Sequence, residues 1–285
     1  MAALYLRGLG GGVYVARQSW PFVVRTLRTA SVPLGQTAKA LRSAGQLDAA
    51  LRLDEPGLLS AAESVVEKSL CLTLFDPGFP VRWIKSMGDG APPVLWCVGE
   101  PPLGETACVV GSREVSRGVW SFASGAGRAV ARAKMILVSG GAKGCDTAAE
   151  QGALRAGGSV IRILPYGLGG QRPLERRLLL SVCPPNEPFS TASAMERNAL
   201  LYASADRSLV ASCRFGEGGT WHGAVTALRR RSSQLFVRSG GRGEAALAAL
   251  GAIAVDTADQ FLTEPLPLRA QPSLALGSGR PSFFF

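Results

Sequence analysis

The chain is an α/β protein: a Rossmann-like, mostly parallel sheet with helices on both faces, preceded by a small helical N-terminal region. Three observations predict this. From Ala107 onward, short apolar runs alternate with longer stretches of helical periodicity. Glycine-rich turns stand where the runs pass into the helices. The apolar runs are continuous rather than alternating, which is the pattern of strands buried on both faces.

The order along the chain follows from the same signals. Residues 1–69 carry apolar residues at helical spacing over Thr37–Leu41, Leu47–Leu53 and Leu58–Val66, broken at Gly45 and Pro56-Gly57. A strand is expected over Leu70–Phe75, stopped by Asp76-Pro77-Gly78-Phe79-Pro80, and another over Pro93–Val98. Core strands are then expected at Ala107–Val110, Ile136–Ser139, Val160–Leu164, Ser208–Ser212, Gln234–Val237 and Ala252–Val255. Helices are expected at Gly118–Ala133, Thr147–Ala156, Leu174–Val182, Ala194–Ala203, Thr220–Arg230 and Glu244–Leu250. Strands separated by helices imply right-handed βαβ units. The division is 1–69 helical region, 70–263 core and 264–285 flexible tail, because the end is rich in Pro, Ser and Gly and closes on Phe283-Phe284-Phe285.

Composition narrows the chemistry. The 285 residues carry a formal net charge of +10, which favours polyanionic partners. The six cysteines (Cys71, Cys97, Cys108, Cys145, Cys183, Cys213) are widely spaced and form no C-x-x-C, so they read as reduced, mostly buried thiols. With His222 the single histidine, a metal site or a Cys/His dyad is not expected, and no cofactor is assigned. No apolar window reaches membrane-spanning length, and the expected compartment is the cytoplasm.

In an open parallel sheet, ligands sit beyond the carboxyl ends of the strands. Three loops there are distinctive: Gly111-Ser112-Arg113, the Gly140–Asp146 turn that follows Ser139 and holds Gly141, Lys143 and Gly144, and Gly216-Glu217-Gly218-Gly219-Thr220. Glycines permit close approach to an anion, a helix start offers N–H groups, and Arg113 and Lys143 add charge. The expected guest is a phosphate, whether of a nucleotide, a metabolite or a nucleic-acid backbone. The G-x-G-x-x-G fingerprint and the Walker A motif are both absent, which argues against an NAD-dependent dehydrogenase and a P-loop ATPase.

At these residues the chain resembles the DNA-processing protein A family (DprA, also called Smf). The matching segments run in order: Leu72–Pro80, Pro92–Gly99, Val109–Arg113, Ser139–Ala149, Gly152–Gly158, Glu196-Arg197-Asn198 and Gly218–Ala224. The resemblance implies a non-enzymatic, dimeric protein that binds single-stranded DNA, acts in DNA uptake, transformation and recombination, and loads the RecA recombinase. It further implies that Arg113 and Lys143 contact DNA and that Arg197 and Asn198 line the same pocket. Trp221, Tyr166 and Phe189 are candidates for stacking on bases, with a core role the more expected one for Phe189. Asp146 is expected to cap free N–H groups at a helix start.

Two departures stand out. The third loop reads Glu217-Gly218-Gly219-Thr220 rather than serine-rich, and Gly170–Glu175 replaces a tyrosine-proline-proline-glutamate-asparagine signature. A rival reading is a nucleotide sensor or a phosphoribohydrolase with the motif P-G-G-x-G-T-x-x-E. Gly223 stands where that motif needs its glutamate.

Overall fold

The computed structural model describes residues 70–266, apart from 74–77, 88–90, 93 and 184. The expected helices before residue 70 and most of the expected tail lie outside the described residues.

Among the described residues nine strands form one sheet: β1 (Leu70–Thr73), β2 (Val94–Val98), β3 (Thr106–Gly111), β4 (Ile136–Ser139), β5 (Val160–Leu164), β6 (Arg177–Ser181), β7 (Arg207–Ser212), β8 (Gln234–Arg238) and β9 (Ile253–Val255). Their spatial order is β1-β2-β6-β5-β4-β3-β7-β8-β9. From β6 to β9 every pairing is parallel, while β2 joins β6 and β1 joins β2 antiparallel. The central strands are buried from end to end, as their unbroken apolar runs require.

The helices are α1 (Val81–Met87), α2 (Arg117–Arg132), α3 (Cys145–Arg155), α4 (Thr191–Ala203), α5 (Gly218–Arg230), α6 (Arg242–Ala249) and α7 (Gln260–Thr263). Ser116 starts α2 by accepting from Val119 N–H at 3.3 Å, and Ser190 starts α4 by accepting from Ser193 N–H at 3.0 Å. α2 buries Val119, Ala123, Ala126 and Val130, one stripe at helical spacing. It crosses α3 at unusually close range. A Cβ on Gly127 would stand 1.8 Å from Ala149 O, and one on Gly152 1.9 Å from Ser124 O. Only glycine lets these two backbones touch.

Two elements differ from the sequence reading. Leu174–Val182 contains no helix: its core, Arg177–Ser181, is strand β6, between β2 and β5. Arg and Leu favour helices, but the five-residue run has buried sheet neighbours on both sides, and that tertiary context overrides propensity. Helix α1 went unread because prolines and glycines surround it. It is held by Trp83, fully buried, whose Nε1 donates to Ser204 Oγ at 2.7 Å.

The chain leaves β3 for β4, β5 and β6 on one side, then crosses through α4 to β7, β8 and β9 on the other. The reversal of order falls between β3 and β7, the switch point beyond whose carboxyl ends open α/β sheets form their ligand crevice.

Candidate nucleic-acid interface

All three sequence-predicted loops reach that crevice, and hydrogen bonds join them. At Gly111 the register of β3 against β7 shifts by one residue. Ser112 then spans the two strands: its N–H and its hydroxyl both donate to Ser212 O, at 2.9 and 3.3 Å. Its carbonyl accepts from Cys145 N–H at 3.1 Å. Ser112 therefore joins three elements, and the exposed Arg113 projects from that fixed point.

The second loop is built from within. Ser139 is fully buried and its hydroxyl accepts from Gly141 N–H at 3.2 Å. Ala142 N–H donates to Asp146 Oδ2 at 3.3 Å, and Ala142 O accepts from the N–H and hydroxyl of Thr147. The N–H groups of Gly141, Ala142, Cys145 and Thr147 are thus consumed inside the fold. The sequence reading had the turn's N–H groups facing outward. The structure instead puts an exposed lysine, Lys143, at the tip of a self-satisfied turn. Gly141 (φ +67°) and Gly144 (φ +80°) take the left-handed backbone that glycine adopts most readily.

Beneath the turn lies Arg197, 5% exposed. Its Nη1 donates to Gly140 O at 2.5 Å and Ile163 O at 2.9 Å. Gly140 must be glycine, since a Cβ there would stand 2.1 Å from that nitrogen. Burial pulls the Arg197 pKa down and Asp146 holds it up. Burial also raises the Asp146 pKa from 3.8 to about 6, against the opposing pull of Arg197 and the Ala142 N–H. Asp146 is structural, as expected, but it takes the loop's N–H rather than capping α3, whose N-cap Gly144 has no side-chain bond. A second charge pair flanks the first. Glu150, 3% exposed, binds Arg162 through both carboxylate oxygens.

The third loop is tied down at two points. Asn198 Nδ2 donates to Gly219 O at 3.2 Å, and Thr220 Oγ1 donates to Gly111 O at 3.2 Å. Gly218 is exposed with φ +76°. The predicted residues are therefore brought together, but in two layers. Arg113, Lys143 and Gly218 face solvent, while Ser139, Gly140 and Arg197 build the support, and Ser112, Asn198, Gly219 and Thr220 tie the loops to one another.

The aromatic expectations fare unevenly. Trp221 is half-buried, and Tyr166 packs partly against the core. Phe189 is 52% exposed, not a core residue, because it stands in the segment leading into α4 rather than on a strand. Phe215 was missed. It is 48% exposed, lies edge-on to Trp221 at 5.1 Å, and has the Arg242 guanidinium 4.8 Å above its ring. Its place before Gly216 in a loop was the available signal. Arg162 was also missed, although a charge inside an otherwise apolar strand was legible as a buried ion pair. His222 is exposed, and Cys97, Cys108, Cys145, Cys183 and Cys213 are buried. Burial raises the thiol pKa of Cys145 to about 12, so it stays protonated at neutral pH. Among the described residues no cluster resembles a metal site, and no helix is long and apolar enough to cross a membrane.

A doubly wound sheet with three glycine loops and exposed cations at its switch point defines a Rossmann-like protein built for anionic ligands. The sequence model of one family, DNA recombination-mediator protein A, matches residues 70–264. The chain belongs to that family. Among solved structures it is similar to DNA processing protein A from Streptococcus pneumoniae, with 21% identity over 92% of this chain and 95% of that one and a TM-score of 0.73. It is also similar to DNA processing protein A from Helicobacter pylori, which is described for its mode of single-stranded DNA binding. There the identity is 22% over 68% of this chain and 94% of that one, and the TM-score is 0.58. At these identities the likeness is one of fold. No curated protein matches the chain by sequence.

Proposed function

We propose that this protein binds single-stranded DNA along the carboxyl edge of its sheet and acts as a recombination mediator. The observation that carries the reading is the pairing of Arg113 and Lys143. Both are exposed, and the turns that bear them are tied by the Cys145 N–H to Ser112 O bond. Two exposed cations on turns tied to each other suit the phosphates of one strand, and Phe215 and Trp221 offer ring surface to unstacked bases. The protein acts by binding rather than catalysis, in the cytoplasm, as a homodimer that delivers the strand to the RecA recombinase. The Helicobacter pylori relative and the family assignment support the choice of ligand.

The phosphoribohydrolase reading loses support at Gly223. It is buried in α5, and a Cβ there would stand 3.0 Å from the Tyr202 ring. The helix packs at the position where that chemistry needs a carboxylate.

The test is a salt titration of single-stranded oligonucleotide binding to wild type and to Arg113→Ala/Lys143→Ala. The double variant should bind at least ~10-fold more weakly, with a log–log salt slope shallower by about 1.4, two contacts at roughly 0.7 each. Equal affinity and slope in the two proteins would remove this site. A mononucleotide that competes at equal concentration would favour the sensor instead.

A further inference from the structure

Among the described residues, every non-glycine residue with left-handed backbone is basic: Lys134 (φ +57°), Arg176 (φ +54°) and Arg231 (φ +50°). This backbone is unfavourable for any residue with a Cβ, and glycine is its usual occupant. Each of the three shortly precedes a strand, β4, β6 or β8. They therefore stand on the amino edge of the sheet, opposite the crevice. A helix dipole favours cations after α2 and α5, which suits Lys134 and Arg231. It does not account for Arg176, which lies inside the turn closed by the Leu174–Arg177 bridge.

Between β6 and β4 these cations have company. Arg132 ends α2, Arg155 ends α3, and both are exposed. The ends of the three elements touch: Arg176 Nη1 lies 3.2 Å from where a Cβ on Gly157 would be, and Gly158 abuts Ala131. Arg132, Lys134, Arg155 and Arg176 thus border one patch. Two exposed carboxylates lie nearby: Glu175, 3.7 Å from Arg176 in a largely exposed pair that neutralises little, and Glu105, whose carbonyl accepts from Ile136 N–H beside Lys134. The exposed aromatic rings among the described residues stand elsewhere. Trp120 is in the first turn of α2, Phe189 leads into α4, and Phe215 follows β7, all at the carboxyl end.

We propose that the amino edge between β6 and β4 is a second nucleic-acid surface, which takes the phosphate backbone of duplex DNA. A single strand presents bases that need rings to stack on, and this patch has none. A duplex stacks its own bases and presents phosphates, about one charge per 1.7 Å of axis. Three neighbouring strands span roughly 10 Å, enough to meet several of them. One protomer would then hold a single strand at one edge and a duplex at the other. This proposal stands apart from the single-strand reading, since it uses other residues and another ligand.

The test uses the full chain carrying Arg132→Gln, Lys134→Gly, Arg155→Gln and Arg176→Gly. Glycine at the two left-handed positions removes charge without straining the backbone, so the variant should unfold no earlier than wild type. Binding of a short blunt duplex should weaken at least ~10-fold, and its log–log salt slope should fall by about 3 to 4, roughly 0.9 per lost contact. Single-strand binding should not change. Duplex affinity and slope equal to wild type would overturn the proposal, as would a wild type that binds no duplex at low salt. A parallel loss of single-strand binding, or loss of duplex binding in Arg113→Ala/Lys143→Ala, would also overturn it by showing one shared surface.

Discussion

The carboxyl edge of this sheet and the β6–β4 stretch of its amino edge handle charge differently. At the carboxyl edge, cations are interleaved with acids: Arg197 lies beside Asp146, Arg162 grips Glu150, and Arg214 meets Glu114 at 3.0 Å. Much of that charge is buried and serves to hold three loops in register. At the amino edge between β6 and β4, Arg132, Lys134, Arg155 and Arg176 are exposed and outnumber the exposed Glu175 and Glu105, while farther along, before β7, Asp206 pairs with Arg82 at 2.7 Å. The lesson is that a cation near a binding loop is not thereby a ligand contact. Burial decides which arginine supports and which one is available, and an exposed cation loses little when solvent or a phosphate replaces its surroundings.

The sharpest way to break this contrast is Arg197→Ala. It leaves Asp146 buried without its counter-charge and strips Gly140 O and Ile163 O of their donor, so denaturant unfolding should show a loss of about 3–5 kcal/mol. A loss under about 1 kcal/mol, the size seen for a surface charge, would mean that Arg197 is not a support.

Gly140→Ala should come next. Its Cβ would collide with the Arg197 guanidinium and Asp146 Oδ2, and overpacking of this kind typically removes about 1–3 kcal/mol. Because the turn carries Lys143, single-strand affinity should fall with stability. Retained affinity at lowered stability would uncouple the support from the site.

The amino edge predicts the opposite sign. Lys134→Gly relieves a left-handed lysine, and after allowing for the added chain entropy it should leave stability unchanged or raise it by up to about 1 kcal/mol. A clear fall in melting temperature would show that Lys134 has a structural task.

A pH slope tests the same support from the side of its acid. Burial holds the folded pKa of Asp146 near 6, above its ordinary 3.8, so the folded protein binds the proton more tightly than the unfolded chain. That contribution to stability is full below about pH 4 and is lost as pH rises through about 6. Subtracting the melting profile of Asp146→Asn from that of wild type across this window should leave a falling slope; parallel profiles would place the ionisation elsewhere.

Much of this was legible from residue order alone. The βαβ rhythm, the three glycine loops and the exposure of Arg113 and Lys143 follow from local pattern: apolar runs of strand length, glycine where the backbone must turn, cations at loop tips. The strand at Arg177–Ser181 was misread because its residues favour a helix locally, and only its neighbours β2 and β5 make it a strand. Phe189 was misplaced because hydrophobicity says nothing about which side of a loop faces water.

What the sequence by itself determined is the class of fold and the gathering of glycine turns and cations at one edge of the sheet, since each rests on periodicity and on residue type at a turn. What only the tertiary structure decided is the division of labour among the charges. Arg197 is 57 residues from Gly140, and Arg176 reaches the end of α3 across a strand and a loop. Whether a guanidinium is buried against a carboxylate or left in water depends on distances between segments remote in the chain, and no local pattern encodes them.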